Sequence, residues 1–320
     1  MALKNSPILG LQSFLLLVVM FMLPSLLFTK PNGEPFSFLE NLQGSHQGQK
    51  LEGVCKLKRY LEKFGYLQYN DHSTHANDEE FDDQLESAVK VYQLNYGLNE
   101  TGTLDSRTME MMLRPRCGVP DIINGTTRMR SGKMKRHQPG PLSFHIAPQF
   151  AFFKRRQKWP YTLTKASLTY RFRSSVEVID LQTLRPVIAQ AFAKWAFVIP
   201  FTFSEAQESQ THWNITIGFH KLDHGDRHAF DGPGGILAHA FAPTIGWFHY
   251  DADENWSPNP NTNQIDLESI AAHEIGHVLG LEHSAIPEAV MYGLFSAGEQ
   301  KRELHSDDIL GIRTLYGLDR

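Results

Sequence analysis

Cysteine is scarce in this chain. Cys55 and Cys117 are the only two among 320 residues, so at most one internal disulfide can form. An excess of one charge is missing too: 31 Lys and Arg stand against 35 Asp and Glu, and no basic block suggests nucleic acid as a partner. After the first thirty residues there is no second long apolar run, and Gly317-Leu318-Asp319-Arg320 lacks the apolar tail that a lipid anchor needs. The single run, from about Ile8 to Phe28, follows Lys4, is broken by Gln12 and Pro24-Ser25, and ends at Lys30-Pro31-Asn32-Gly33. Its uninterrupted core is short for a bilayer span, so residues 1–29 read as a signal peptide, with a membrane anchor as the alternative. Export to the extracellular space, cell wall or matrix is therefore expected. It would give meaning to the N-x-[ST] sequons at Asn99, Asn124, Asn214 and Asn255 as glycosylation sites.

Histidine, by contrast, is patterned. From Ala271 to Ser284 the chain reads A-A-H-E-I-G-H-V-L-G-L-E-H-S, an H-E-x-x-H-x-x-G-x-x-H spacing. Residues four apart share a helix face, so His273 and His277 can offer two nitrogens to one metal ion, while Glu274 sits about 100° further round. Gly280 can take the positive φ that ends a helix and let His283 return as a third ligand. Three protein ligands leave a tetrahedral position open for water, whose pKa zinc lowers to roughly 7. Glu274 is then placed to act as the general base. An amphipathic helix with solvated histidines is the bland alternative, and the added Gly and third His weigh against it.

Ahead of this, apolar residues at helical spacing predict helices over Gly53–Phe64, Phe81–Leu94 and Asp105–Leu113, a small three-helix bundle. The His-, Asp- and Asn-rich stretch from Asn70 to Glu80 reads as a loop. The bundle runs into Pro115-Arg116-Cys117-Gly118-Val119-Pro120-Asp121, where two prolines stiffen the chain and display the thiol. As a thiolate, Cys117 could fill the open zinc position and stop the chemistry. A Cys55–Cys117 disulfide is the competing reading, since exported proteins oxidise their thiols. On spacing the two stay open.

P-R-C-G-V-P-D resembles the cysteine-switch motif of the matrix metalloproteinases, and together with the zinc-helix pattern the chain resembles a plant-type matrix metalloproteinase precursor. The likeness implies that Cys117 caps the zinc in a latent form and that Arg116 and Asp121 brace the segment by an ion pair. It leaves Cys55 unassigned. It also implies a division into a helical propeptide (30–122), an activation linker (123–160) and a catalytic domain (161–320). The linker holds Arg128, Arg130, Lys133, Lys135, Arg136, Lys154, Arg155, Arg156 and Lys158 among Pro139, Gly140 and Pro141. It reads as exposed and easily cut by an activating protease, with an ordinary solvated connection as the alternative.

In the last part, strands are expected at Leu168–Phe172, Phe201–Phe203 and Ile215–Phe219, with a long helix after Asp180. The fold class expected is α+β, a twisted mixed sheet with three helices as in the metzincins. Histidine crowds again between His224 and His249. His224, Asp226, His239 and His249 could close a second, four-ligand zinc site, surface histidines being the alternative; the resemblance favours the site and leaves His220 and His228 as bystanders. It likewise implies at least one calcium, with oxygen ligands from Asp231, Gly232, Gly234, Ile236, Asp251 and Glu254. Asn214 stands where a second calcium site would have Asp. Gly235–His239 resembles an edge strand that pairs with extended peptide substrates. Met291 matches the Met-turn under the metal, Ser284 favours the matrix branch, Gly293 replaces the usual Pro, and Asp307 or Asp308 is expected to hold the N-terminus made by cleavage.

The reading is a secreted, monomeric zinc endopeptidase made as a latent precursor. A catalytically silent metal-binding adhesion protein is the alternative, which the intact Glu274 disfavours.

Overall fold

The helical front is built on caps and stripes. Asp82 accepts the Leu85 amide at the start of α2 (Asp83–Asn95), and Asp105 accepts that of Thr108 at the start of α3 (Ser106–Met112). With α1 (Val54–Lys63) these bury Val54, Leu57, Leu61, Leu85, Val89, Tyr92, Met109 and Met112 against one another. A 3-10 turn at Ser37–Leu42, unmarked by any periodicity in the sequence, adds Leu39 and Leu42 to this core. The computed structural model describes residues 35–69, 77–123, 126–127, 129, 149–160 and 166–318. The signal-peptide reading, Asn124 and most of the basic linker lie outside the described residues. No helix among those described is long and apolar enough to cross a membrane.

The chain then adds β1 (Arg116–Cys117) to the edge of a sheet made by the second half. β2 (Ile122–Ile123) pairs with β3 (Thr126–Thr127) alongside. The remaining strands are β4 (Ala166–Phe172), β5 (Phe201–Glu205), β6 (Ile215–His220), β7 (Ile236–Ala240) and β8 (Trp247–Asp251), in the order β1-β7-β8-β6-β4-β5. All neighbours run parallel except β7 and β8, so the sheet is mixed, as expected. Parallel β4 and β5 need a crossover, supplied by α4 (Leu181–Val198), which Asp180 caps. Two short parallel strands, β9 (Trp256–Ser257) and β10 (Ile265–Asp266), lead into α5 (Leu267–Leu279), and α6 (Ser306–Tyr316) closes the chain.

Every residue of α5 is buried. Its N-terminus is capped by Asp266, which Arg302 grips at 2.6 and 2.8 Å. At its C-terminus the orphan carbonyls all find donors. Gly280 and Leu281 amides take those of Gly276 and His277, the Trp159 indole takes Val278 O, and the Tyr316 hydroxyl takes Leu279 O. Trp195 of α4 donates to Ala272 O at 2.9 Å and fixes the helix from the other side.

Residues 149–160, part of the expected linker, pack against the second half of the chain. Phe150, Phe153 and Trp159 are buried, Phe152 bridges to Leu281, and the Gln149 amide donates to Asp307 at 2.8 Å. Residues 154–158 and Pro160 stand exposed. The basic residues had masked the aromatic ones, whose burial drives the docking.

Gly280 sits at φ 112°, and a Cβ there would lie 2.5 Å from Gln157 O and 2.7 Å from Leu315 Cδ2. Gly280→Ala should therefore cost roughly 1–3 kcal/mol through the left-handed backbone alone. The check is the urea midpoint, which should fall at unchanged slope; an unmoved midpoint would show that the turn does not depend on glycine.

Candidate metal centres

α5 and the turn after it place three imidazoles around one point. His273 donates from Nδ1 to Val290 O at 2.7 Å, and His277 from Nδ1 to Leu281 O at 2.8 Å. A neutral ring that spends its proton at Nδ1 leaves Nε2 as a bare lone pair. The two Nε2 atoms nevertheless face each other at 3.1 Å. Burial and the neighbouring rings hold His273 well below its ordinary pKa, so it stays neutral. Bare lone pairs at this distance call for a shared cation. Two Zn–N bonds at tetrahedral angles put nitrogens about 3.3 Å apart, and a Zn–N and a Zn–S bond put N and S about 3.6 Å apart. Cys117 Sγ lies 3.5 Å from His277 Nε2, and ligand atoms of Cys117, His273, His277 and His283 all fall within 4.8 Å of one another. The donor set fits zinc.

Cys117 is free, as is Cys55, so the disulfide is not formed. Its segment covers the edge of β7: Arg116 N–H donates to Gly235 O at 2.7 Å, Cys117 N–H to Gly293 O at 3.0 Å and Gly118 N–H to Ala238 O at 2.8 Å. The Arg116–Asp121 ion pair is present at 2.8 Å with both side chains fully buried. The Arg116 guanidinium also lies 3.4 Å over the Phe64 ring. Asp121 Oδ1 in turn accepts from His283 Nδ1 at 2.7 Å, a contact no local motif announces.

Glu274 is fully buried on the same helix, and burial pushes its carboxyl up to about 8. The Cys117 thiol is raised well above its ordinary value, first by burial and then by this carboxyl. A metal ion between them would pull both down. Beneath the cluster, Met291 packs its sulfur against Gly276, where a Cβ would lie only 2.2 Å away. Asp308 holds the Val290 and Met291 amides, while Asp307 holds Gln149 N–H and the Ser284 hydroxyl.

The second histidine cluster forms across β7, β8 and the loop before them. His224, His239 and His249 each bring a ring nitrogen to Asp226 Oδ2, at 2.8, 2.7 and 2.9 Å. His224 spends a proton from Nδ1 on Leu222 O, leaving Nε2 to face the carboxylate and, at 3.2 Å, His249 Nδ1. These four also lie within 4.8 Å of one another. Burial, then His239, brings His249 down to about 4. His220 is not among these four ligands; its ring packs beside the cluster, with centroids 4.4 Å from that of His249 and 5.0 Å from that of His224.

The acidic set is looser. Asp231, Asp251 and Glu254 are not among the groups with ligand atoms within 4.8 Å of one another. Even so, Asp251 Oδ2 and Glu254 Oε1 are buried without a hydrogen-bond partner among the described residues, and burial raises their carboxyls to about 7 and about 8. The amides of Gly232 and Gly234 face Asp251 and Glu254, and that of Ile236 donates to Asp231 at 3.0 Å. Asn99 and Asn255 are exposed, whereas Asn214 is half-buried with Oδ1 accepting from Thr169 N–H.

Sequence comparison agrees with this geometry. The Matrixin family pattern matches residues 158–317, and a peptidoglycan binding domain pattern matches residues 50–112. Metalloendoproteinase 1 of Glycine max is 42% identical over 280 residues, 86% of this chain and 85% of the relative. Metalloendoproteinase 2-MMP and Metalloendoproteinase 5-MMP of Arabidopsis thaliana are each 39% identical, over 87% and 92% of this chain and 74% and 79% of the relatives. Likeness of this depth along both halves shows that the chain belongs to the matrixin family of zinc metalloendopeptidases.

Proposed function

We propose that the chain is made as an exported, latent protease in which Cys117 is the fourth ligand beside His273, His277 and His283. The observation that carries this is the convergence of the Cys117 sulfur on three oriented imidazoles, 3.5 Å from His277 Nε2. A zinc ion held there supplies the Lewis acidity that polarises a scissile carbonyl and makes water acidic near neutral pH. Glu274, next to His273, takes the proton from the attacking water and gives it to the leaving amine. The edge of β7, once β1 is gone, pairs with an extended protein or peptide substrate by main-chain hydrogen bonds.

Activation is a cut in the basic linker by another protease, ahead of Gln149. Support comes from Asp307, which already holds the Gln149 amide where a new ammonium would sit, while Asp308 is engaged by the Met-turn. His224, Asp226, His239 and His249 form a closed second zinc site that stabilises the fold. Asp231, Asp251 and Glu254, with carbonyls of Gly232, Gly234 and Ile236, hold calcium; the orphaned buried oxygens of Asp251 and Glu254 support this. Residues 1–29 direct export, and Asn99, Asn124, Asn214 and Asn255 are the candidate glycosylation sites.

After cleavage ahead of Gln149, Glu274→Ala should keep its zinc and lose turnover of a generic protein substrate by about 10²–10⁴-fold. A chelator should stop the wild-type protein, and cutting that survives chelation would sink the mechanism. The uncut Cys117→Ser precursor should hydrolyse peptides that the uncut wild type leaves intact; equal dormancy would remove sulfur from the account. Calcium at about a hundred times its Kd should add about 2.7 kcal/mol of stability, seen as a higher unfolding temperature. Paired Asp251→Asn and Glu254→Gln substitutions should abolish that shift.

A further inference from the structure

The three imidazoles are not oriented from the same place. His273 and His277 give their Nδ1 protons to Val290 O and Leu281 O, backbone groups of the protease part itself. His283 gives its own to Oδ1 of Asp121, at 2.7 Å, with both side chains fully buried. Asp121 follows Cys117 by four residues, so whatever removes the thiol removes this acceptor too.

The carboxylate is held firmly. Oδ2 accepts from Arg116 at 2.8 Å, from the Tyr66 hydroxyl at 2.8 Å and from the Tyr96 hydroxyl at 3.2 Å, which leaves Oδ1 aimed at His283. A carboxylate behind a metal-binding imidazole fixes its tautomer, sets its orientation and raises its basicity.

We propose that Asp121 is a positioning residue through which the front segment holds His283 in its metal-ligating form, so that the precursor retains zinc more tightly than its remaining ligands alone would. The proposal rests on the reading that His273, His277, His283 and Cys117 hold zinc. On this view the front segment acts on the metal twice, once through sulfur from the open side and once through a carboxylate from behind the third ring. Zinc is then loaded and kept during the life of the precursor, and cleavage withdraws both supports together.

The test compares full-length wild-type, Asp121→Asn, Asp121→Glu and Cys117→Ser precursors. Zinc release to a chromophoric chelator should be about 10–100-fold faster from Asp121→Asn than from wild type, with Asp121→Glu recovering much of the difference. In proton NMR, zinc-loaded wild type and Cys117→Ser should both show a downfield, slowly exchanging His283 Nδ1–H resonance that Asp121→Asn lacks. Should Asp121→Asn fold poorly, the resonance in wild type and Cys117→Ser decides by itself, and its absence from both overturns the proposal. Zinc release from a folded Asp121→Asn at the wild-type rate also overturns it. A wild-type precursor purified without zinc would instead overturn the metal reading on which it rests.

Discussion

Two unprotonated imidazole nitrogens face each other across 3.1 Å, and much of the second half of the chain is arranged so that they cannot turn away. Their Nδ1 protons are committed to carbonyls of the Met-turn and of the turn after α5. Neither acceptor can titrate, so the tautomer is set by geometry rather than by pH. That geometry needs α5 to be immobile. A helix buried on every side, with its terminal carbonyls satisfied by Trp159 and Tyr316, meets the requirement. The packing around α5 therefore fixes two donor nitrogens at the separation that a shared tetrahedral cation takes.

The same principle recurs at two other places, with different donors. In the second cluster three ring nitrogens converge on one Asp226 oxygen, and in the acidic set Asp251 and Glu254 are buried beside each other with oxygens unsatisfied. Nitrogen donors gathered tightly select a small borderline-soft ion, whereas carboxylates on a loose glycine turn suit a larger hard one. Donor chemistry and spacing therefore set the two kinds of cluster apart.

Much of this was legible in the sequence, because helices, caps and ligand spacings are local. Leu85, Val89 and Tyr92 announce their stripe, Asp105 and Asp180 mark the starts of their helices, and His273, Glu274, His277, Gly280 and His283 fall within eleven residues. The illegible parts are long-range. Asp121 reaches His283 across 162 positions, and nothing near either residue marks the pairing. The docking of residues 149–160 was obscured for a different reason: Lys154, Arg155 and Arg156 form an exposed turn between buried aromatics, and charge dominates a reading made one residue at a time. Gly276 is equally silent until Met291 is seen beneath it.

The placement of Cys117 follows from strand geometry and from what its neighbour cannot tolerate. Successive side chains of a strand point to opposite sides, so when Cys117 of β1 turns toward the imidazoles, Arg116 turns toward the bundle. There it meets Phe64 and Asp121 with no exposure to solvent. A buried ion pair adds little net stability, but a buried charge without its partner costs several kcal/mol. A slip of one residue in β1 would reverse both side chains, withdrawing sulfur from the centre and sending Arg116 among the imidazoles without Asp121. Two residues of strand could not hold register by hydrogen bonds alone. The penalty on misplaced Arg116 supplies the discrimination. The shared core of Tyr92, Tyr96, Ile236, Tyr292 and Leu294 supplies the adhesion that keeps the front segment seated. Register and affinity are thus carried by different groups.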